Sequence, residues 1–369
     1  METVIEAPGL GRPRDGSPDV RSRKKLVRRR APEPSQVARR SFQIAFLVWN
    51  LYLGAIFYFW VRQFEGGRQI IAERPPGVEG WLPIAGMMNF KYWLVTGNVP
   101  PVHPAAMFLL LSFVAISVFF RKAFCSWLCP IGTIAEALAG FGRRLIGRNL
   151  RLRKSIDIPL RGLKYLLLGF FLWAVSSMSA HALGAFMRSP YGLIADVKML
   201  DFFRHLDRTG FIVIGILVMA SVLVQNFWCR YLCPYGALLG LASRFSPMGI
   251  RRAPRACVDC AKCARACPAN LAVDKLVTIR SAECTGCMEC VTACPADGAL
   301  GMHLPQGVRR SLVPSWVIAT GIALVFGAVV GYAKASDHWR TQISPSLYQV
   351  LIPAADEVSH PMPGDASLR

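Results

Sequence analysis

Five apolar segments constrain this chain more than any other feature. Near residues 43–62, 102–120, 163–183, 210–228 and 312–333 it stays hydrophobic for about the 20 residues that cross a bilayer core. In lipid no water satisfies backbone N–H and C=O groups, so spans of this length are helices. Composition agrees: 53% of the 369 residues are hydrophobic and 18% charged, against roughly 45–50% and 25% in soluble proteins. A disordered chain is excluded, because disorder needs low hydrophobicity. The formal net charge is +21, from 43 Lys+Arg and 22 Asp+Glu. In a soluble protein that excess suggests nucleic acid. In an apolar chain it marks basic loops that orient membrane helices, and no nucleic-acid partner is expected.

A sixth stretch, Gly80–Gly97, carries Pro83, Asn89 and Lys91 between Trp81 and Trp93. It reads as interfacial or re-entrant, the depth that Trp and Lys favour. With five spans, residues 1–42, 121–162 and 228–311 share one side and hold 11, 9 and 11 Lys/Arg. Residues 63–101, 184–209 and 334–369 lie opposite with 3, 4 and 3. The bias places the N-terminus in the cytoplasm and the C-terminus outside. Arg39-Arg40-Ser41-Phe42 looks like a twin-arginine export signal. The apolar run after it is as long as a true span and no A-x-A-like site closes it, so it reads as a cytoplasmic anchor. Residues 1–42 form a basic cytoplasmic arm, expected to be flexible near anionic lipid.

The second and fourth spans end alike. Phe124-Cys125-Ser126-Trp127-Leu128-Cys129-Pro130-Ile131-Gly132 matches Trp228-Cys229-Arg230-Tyr231-Leu232-Cys233-Pro234-Tyr235-Gly236 at an offset of 104 residues, and the match continues to Phe141 and Phe245. Each half is two spans, a C-x-x-x-C-P-x-G element and an amphipathic stretch (Thr133–Phe141, Ala237–Phe245), which makes a parallel repeat. A helical C-x-x-x-C puts both sulfurs on one face, with the proline suited to a helix boundary. Two ordinary buried cysteines per helix end are the plainer reading, but duplicated spacing with Pro and Gly retained argues against it. Disulfides are disfavoured on the reducing side. A joint metal site at Cys125, Cys129, Cys229 and Cys233, or a redox-active dithiol pair, remains open.

The sharpest signal lies between the fourth and fifth spans. Cys257-x-x-Cys260-x-x-Cys263-x-x-x-Cys267-Pro268 is followed by Cys284-x-x-Cys287-x-x-Cys290-x-x-x-Cys294-Pro295. This is the bacterial C-x2-C-x2-C-x3-C-P run twice over, in which three close thiolates wrap one cubane and the remote fourth ligates the other. Cys257, Cys260, Cys263 and Cys294 are expected to hold one [4Fe–4S] cluster, and Cys284, Cys287, Cys290 and Cys267 the second. Structural zinc usually uses one tetrad of two C-x2-C pairs, a poorer fit. The segment is small, so the clusters are expected to organise its fold. Asp259, Lys262, Arg265 and Glu289 read as solvated faces or docking charges. Crossed ligation brings the clusters close and leaves no open iron, which suits single-electron relay over substrate chemistry.

Other chemistry is sparse. There is no C-x-x-C-H for a c-type haem, no G-x-G-x-x-G or Walker sequence, and no catalytic Ser/His/Asp or H-E-x-x-H arrangement. His103 and His181 fall at similar depth, where a bis-histidine haem b is conceivable, but satisfied interfacial histidines are the plainer reading. His338, His360 and Met362 are too sparse for a copper site.

With the paired C-x-x-x-C-P elements and the double cysteine run in view, the chain resembles the NapH/MauN-type membrane polyferredoxins and the membrane half of NosR. The resemblance covers residues 43–305 and all twelve cysteines. It implies a multi-pass protein of the bacterial inner (cytoplasmic) membrane, with electron transfer linked to the quinone pool or a periplasmic reductase system. The chain departs from NosR in lacking an N-terminal flavin-binding domain. It also has a long basic arm, a fifth span and an outer tail. The expected fold is an α-helical integral membrane protein with an inserted small α+β 2[4Fe–4S] ferredoxin domain. Its parts are the arm (1–42), a four-span core (43–249), the ferredoxin domain (250–305), a fifth helix (312–333) and a periplasmic tail (334–369). The expected function is relay of single electrons between a cytoplasmic or quinol donor and a membrane or periplasmic redox partner, as an electron-transfer subunit more than a stand-alone enzyme. A metalloenzyme maturation factor using the C-x-x-x-C-P thiols and a redox-sensing regulator are the alternatives.

Overall fold

The computed structural model of the chain describes residues 27–29, 33–66, 72–304 and 313–361. Most of the basic arm (1–26 and 30–32) and Met362 lie outside the described residues. Helix α1 spans Ser35–Glu65 and contains the first expected span. Its buried stripe is polar at the start (Ser35, Arg39, Gln43) and aromatic at the end (Phe57, Trp60, Phe64). Between them Val48, Trp49, Leu51 and Tyr52 are exposed, as an amphipathic stripe reversed toward lipid requires. The Gly80–Gly97 stretch becomes a 3-10 turn over Pro76–Trp81 and a 14-residue helix α2 (Pro83–Thr96), ended by left-handed Gly97. Helix α2 is too short to cross a bilayer.

Helix α3 (Pro104–Phe120) follows, apolar on every face and buried along most of its length, the pattern of a central helix. Next come α4 (Ala123–Trp127), α5 (Pro130–Ile146) and α6 (Lys154–Ser177). The third expected span ran to 183, but the helix stops at Ser177. Met178 is extended and the Ser179 hydroxyl accepts from Ala182 N at 3.1 Å, capping α7 (Ala180–Arg188). Helices α8 (Pro190–Leu193), α9 (Ala195–Arg204) and α10 (Arg208–Leu223) lead into a π-helical turn, Trp228–Leu232, then α11 (Pro234–Ala242). The cysteine-rich segment adds α12 (Lys262–Ala266) and α13 (Glu289–Thr292). Helices α14 (Ser315–Ala335) and α15 (Pro345–Leu351) close the chain.

Three of these helices, α1, α6 and α14, are long and apolar enough to cross a membrane, and α9 with α10 make a fourth if their 83° bend lies within one span. Helix α3, the second expected span, is apolar but has 17 residues.

Strands β1 (Gly249–Arg252), β2 (Thr278–Ile279) and β3 (Leu300–His303) form an antiparallel sheet in the order β2-β1-β3, with Ile250 opposite both Ile279 and Met302. All three side chains are buried. This small sheet does not stand alone. One continuous core joins Ile250, Val273, Ile279, Met288 and Met302 to Phe113, Ile116 and Phe120 of α3 and Ile318 and Ile322 of α14. A Cβ on Gly321 would meet the Phe120 ring at 2.2 Å, so only glycine lets α14 approach α3 there. The cysteine segment is thus built on the end of the helix bundle, and its fold rests on helix packing as well as on its ligands.

The arm differs from its expected flexibility over its described part. Val27 O accepts from Asp297 N (2.9 Å), Arg29 N donates to Pro295 O (3.1 Å), and Arg29 Nη1 donates to Val291 O (3.1 Å). It is a strap along the second cysteine run.

Arg74, its side chain 7% exposed, pairs with the buried carboxylates of Glu79 and Asp196, each at 2.7 Å. Arg74 Nη2 also donates to His103 Nδ1 (3.1 Å), leaving Nε2 to donate to the Gly192 carbonyl (2.9 Å). Both ring nitrogens of His103 are engaged, and His181 is exposed.

Candidate metal centres

The two cysteine runs share the same left-handed turns. Left-handed residues recur 27 positions apart: Asp259 (φ 54°) matches Gly286 (φ 64°), and Ala261 (φ 54°) matches Met288 (φ 59°). A non-glycine residue in this region is uncommon and strained, so its repetition marks a constraint common to both loops. The turns curl each C-x2-C-x2-C inward, and α12 and α13 then carry Cys263 and Cys290 into the core.

The runs exchange their last cysteines. A small apolar hollow is bounded by Cys284, Cys287 and Cys290 together with Cys267 of the other run, over Ile250, Val273 and Ile279. Cys294 in turn faces Cys257 and Cys260, and Cys263 faces Cys294. Backbone N–H groups of Ala269 and Leu271 point at the Cys267 sulfur, and that of Ala296 at Cys294, the hydrogen bonds that bias iron–sulfur centres. All twelve cysteines are free thiols. Among the described residues no three His, Cys, Asp or Glu side chains gather closely enough for one metal ion. A cubane takes each thiolate on a different iron, so its ligands stand further apart, and this donor set suits a cluster better than a single ion. Burial pushes the thiols of Cys287 and Cys290 well above their ordinary range. Without a cation those positions hold neutral thiols, and metal binding releases protons.

The C-x-x-x-C-P elements depart from the continuous helix expected of them. Cys125 lies in α4, but Cys129 is extended (ψ 119°) and starts α5; Cys229 lies in the π turn, and Cys233 (ψ 105°) starts α11. The proline is the cause. It forces the residue before it out of the helical region and suits the first position of the next helix. Each pair therefore straddles a helix break. The motif glycine has a steric reason: a Cβ on Gly132 would lie 2.3 Å from the Cys125 carbonyl, and one on Gly236 would crowd Lys122 Nζ (3.3 Å) and Cys233 Sγ (3.5 Å).

All four sulfurs line one cavity of about 770 Å³, and Cys229 faces Cys129, Cys233 and Cys125. The cavity wall is mostly apolar and includes Cys287, Trp81 and Trp339. Lys122, 4% exposed, faces Cys125, Cys233, Cys229 and Glu283.

Both motif copies bond to backbone beside the cysteines of the hollow formed by Cys267, Cys284, Cys287 and Cys290. Ser126 Oγ donates to Thr285 O (2.6 Å) and Trp127 Nε1 to Gly286 O (3.4 Å). In the other copy Arg230, at the position matching Ser126, donates to Pro268 O (3.0 Å). Glu283, next to Cys284, accepts from Lys164 Nζ (2.6 and 2.7 Å) and Tyr165 OH (3.1 Å). Burial alone would raise the Glu283 carboxyl, but Lys122 and Lys164 hold it below the usual range. Lys122, Lys164, Glu283 and Arg230 have no local signature; the one available hint was that lysines at span ends are rare unless paired.

Comparison with known proteins follows the same division. The family described as a 4Fe-4S binding domain matches the chain twice, over residues 102–149 and 208–252, once on each C-x-x-x-C-P copy. A 4Fe-4S dicluster domain matches residues 249–295. The Escherichia coli K12 protein YccM, whose name places it in electron transport, is 46% identical over 87% of this chain and 91% of its own length. The chain belongs to the NapH-like family of membrane 4Fe–4S ferredoxin-type proteins. NapH of Haemophilus influenzae is 29% identical over 41% of this chain and 49% of its own length. The regulatory protein NosR of Pseudomonas aeruginosa is 29% identical over 51% of this chain, which spans 26% of that relative. No solved structure matches.

Proposed function

We propose that this chain is a membrane-bound iron–sulfur electron-transfer protein that relays single electrons between a cytoplasmic or quinol donor and a membrane or periplasmic partner. The observation that carries this reading is the hollow where Cys267 meets Cys284, Cys287 and Cys290. Two [4Fe–4S] clusters are assigned: one to Cys257, Cys260, Cys263 and Cys294, the other to Cys284, Cys287, Cys290 and Cys267. When bound, they supply reversible one-electron steps. The protein holds them, shields the one at Cys267, Cys284, Cys287 and Cys290 and sets its charge environment. The basic-loop bias supports an inner-membrane location with the cysteine module cytoplasmic.

A third metal or redox thiol centre at Cys125, Cys129, Cys229 and Cys233 completes the reading, supported by their shared cavity and by the 4Fe-4S description of the matched segments. The apolar wall leading from those thiols suits a quinone as the hydrophobic carrier. Anaerobic purification with iron quantification and redox-poised EPR tests the proposal. Two clusters bring about eight iron atoms per chain and dithionite-reduced [4Fe–4S] signals; absence of those signals overturns it. A third signal, lost in the Cys125→Ser/Cys129→Ser double variant, locates the extra centre. Copper held by the same thiols independently of iron favours the maturation-factor alternative.

A further inference from the structure

The two arginines that resemble an export signal part company in the fold. Arg40 is exposed, whereas the Arg39 side chain is 2% exposed. Arg39 donates from Nη1 and Nη2 to the two carboxylate oxygens of Glu136, each at 2.7 Å, in the bidentate geometry only arginine provides. The same guanidinium reaches Glu289 Oε1 (3.3 Å), Gln36 Oε1 (2.9 Å) and the Ser126 carbonyl (3.4 Å). Gln36 in turn donates to the Cys287 carbonyl (2.8 Å). One buried cation thus ties α1 to α5, to the interior of the first C-x-x-x-C-P element and to the loop of the second cysteine run.

A plain strut could make these contacts, but the charge balance asks for more. Glu289 and Arg39 both face the Cys287 position and Glu136 faces Glu289; Arg39 is the buried cation of this group, while Arg40 and Arg143, which also face Glu289, are exposed. Reduction of a four-thiolate cubane adds one electron and no atoms, so it deepens a negative charge already present. In a buried site that step is strongly sensitive to fixed charge, and net charge is one of the determinants of cluster potential.

We propose that Arg39 is a positioning residue for the inner cluster, the one assigned to Cys267, Cys284, Cys287 and Cys290, and that its buried charge raises the potential at which that cluster accepts an electron. The inference rests on the proposed ligand assignment. The outer cluster lies beyond this network and is unaffected.

The test is EPR-monitored redox titration of full-length protein with Arg39→Gln, Arg39→Lys and Glu136→Gln substitutions, the outer signal being assigned by its loss in Cys260→Ser. Arg39→Gln shifts the inner midpoint to more negative potential and leaves the outer one in place. Arg39→Lys, which keeps the charge but not the fork, stays near wild type. Glu136→Gln shifts the inner midpoint the opposite way. If Arg39→Gln fails to assemble, the other two variants decide: an inner midpoint unmoved by Glu136→Gln overturns the proposal, as does an equal shift of both midpoints in any variant. A merely structural Arg39 lowers iron content and thermal stability and moves neither midpoint. Absence of two cluster signals in the wild type instead overturns the functional reading on which the inference rests.

Discussion

The two cysteine runs share a spacing and their left-handed turns, yet they sit in different surroundings. The first faces outward: Cys257 Sγ contacts Asp259 on the exposed side, and Arg265 donates to the Cys260 carbonyl at the surface. The second is seated on the helix bundle, with Thr285, Gly286, Cys287 and Val291 each bonded to Ser126, Trp127, Gln36 or Arg29. Both C-x-x-x-C-P copies serve this inner cradle. With a cluster in each run, as proposed, these unequal surroundings would separate the two potentials through burial, hydrogen bonding and nearby charge.

The largest expected effect separates the two cradles directly. Cys287→Ser is expected to remove the proposed inner cluster, about four irons per chain, with loss of its EPR signal. Cys260→Ser loses as much iron but leaves the inner EPR signal standing. Loss of both signals in Cys260→Ser would show that the seats are not independent. Next comes Glu283→Gln, which strands the fully buried Lys164 ammonium; thermal unfolding in detergent should register a loss of about 3–5 kcal/mol.

Gly132→Ala forces a methyl against the Cys125 carbonyl and is expected to cost roughly 1–3 kcal/mol. The control, Gly169→Ala, meets nothing within 4 Å, so it should be neutral or slightly stabilising in the same melt. The smallest change belongs to the outward run: Asp259→Asn, 61% exposed, should stay within about 0.5 kcal/mol. A larger loss there would erase the contrast between the two runs.

The cysteine runs were legible because iron–sulfur ligation is a local spacing problem, readable from Cys257 to Pro268 and again from Cys284 to Pro295. The apolar helices were legible because a bilayer imposes length and composition on each segment separately. The broken helices at Cys129 and Cys233 were half legible: the prolines announced a boundary, but a continuous turn was expected to carry both sulfurs. The seat of the inner cradle was not legible. Ser126 and Thr285, Arg230 and Pro268, Arg39 and Glu136 are far apart in the chain, and nothing in the spacing of either partner announces the other.

By itself, then, the sequence determined the class of protein, the spacing of the cysteines proposed as cofactor ligands and the duplication of the thiol element. These follow from hydrophobicity, spacing and repetition, which act over a few turns of chain. Only the tertiary structure decided which run is seated on the helix bundle, which buried charges flank it and that all four C-x-x-x-C-P cysteines line one cavity. Those outcomes depend on helix packing, in which each burial is settled by what the rest of the chain brings against it.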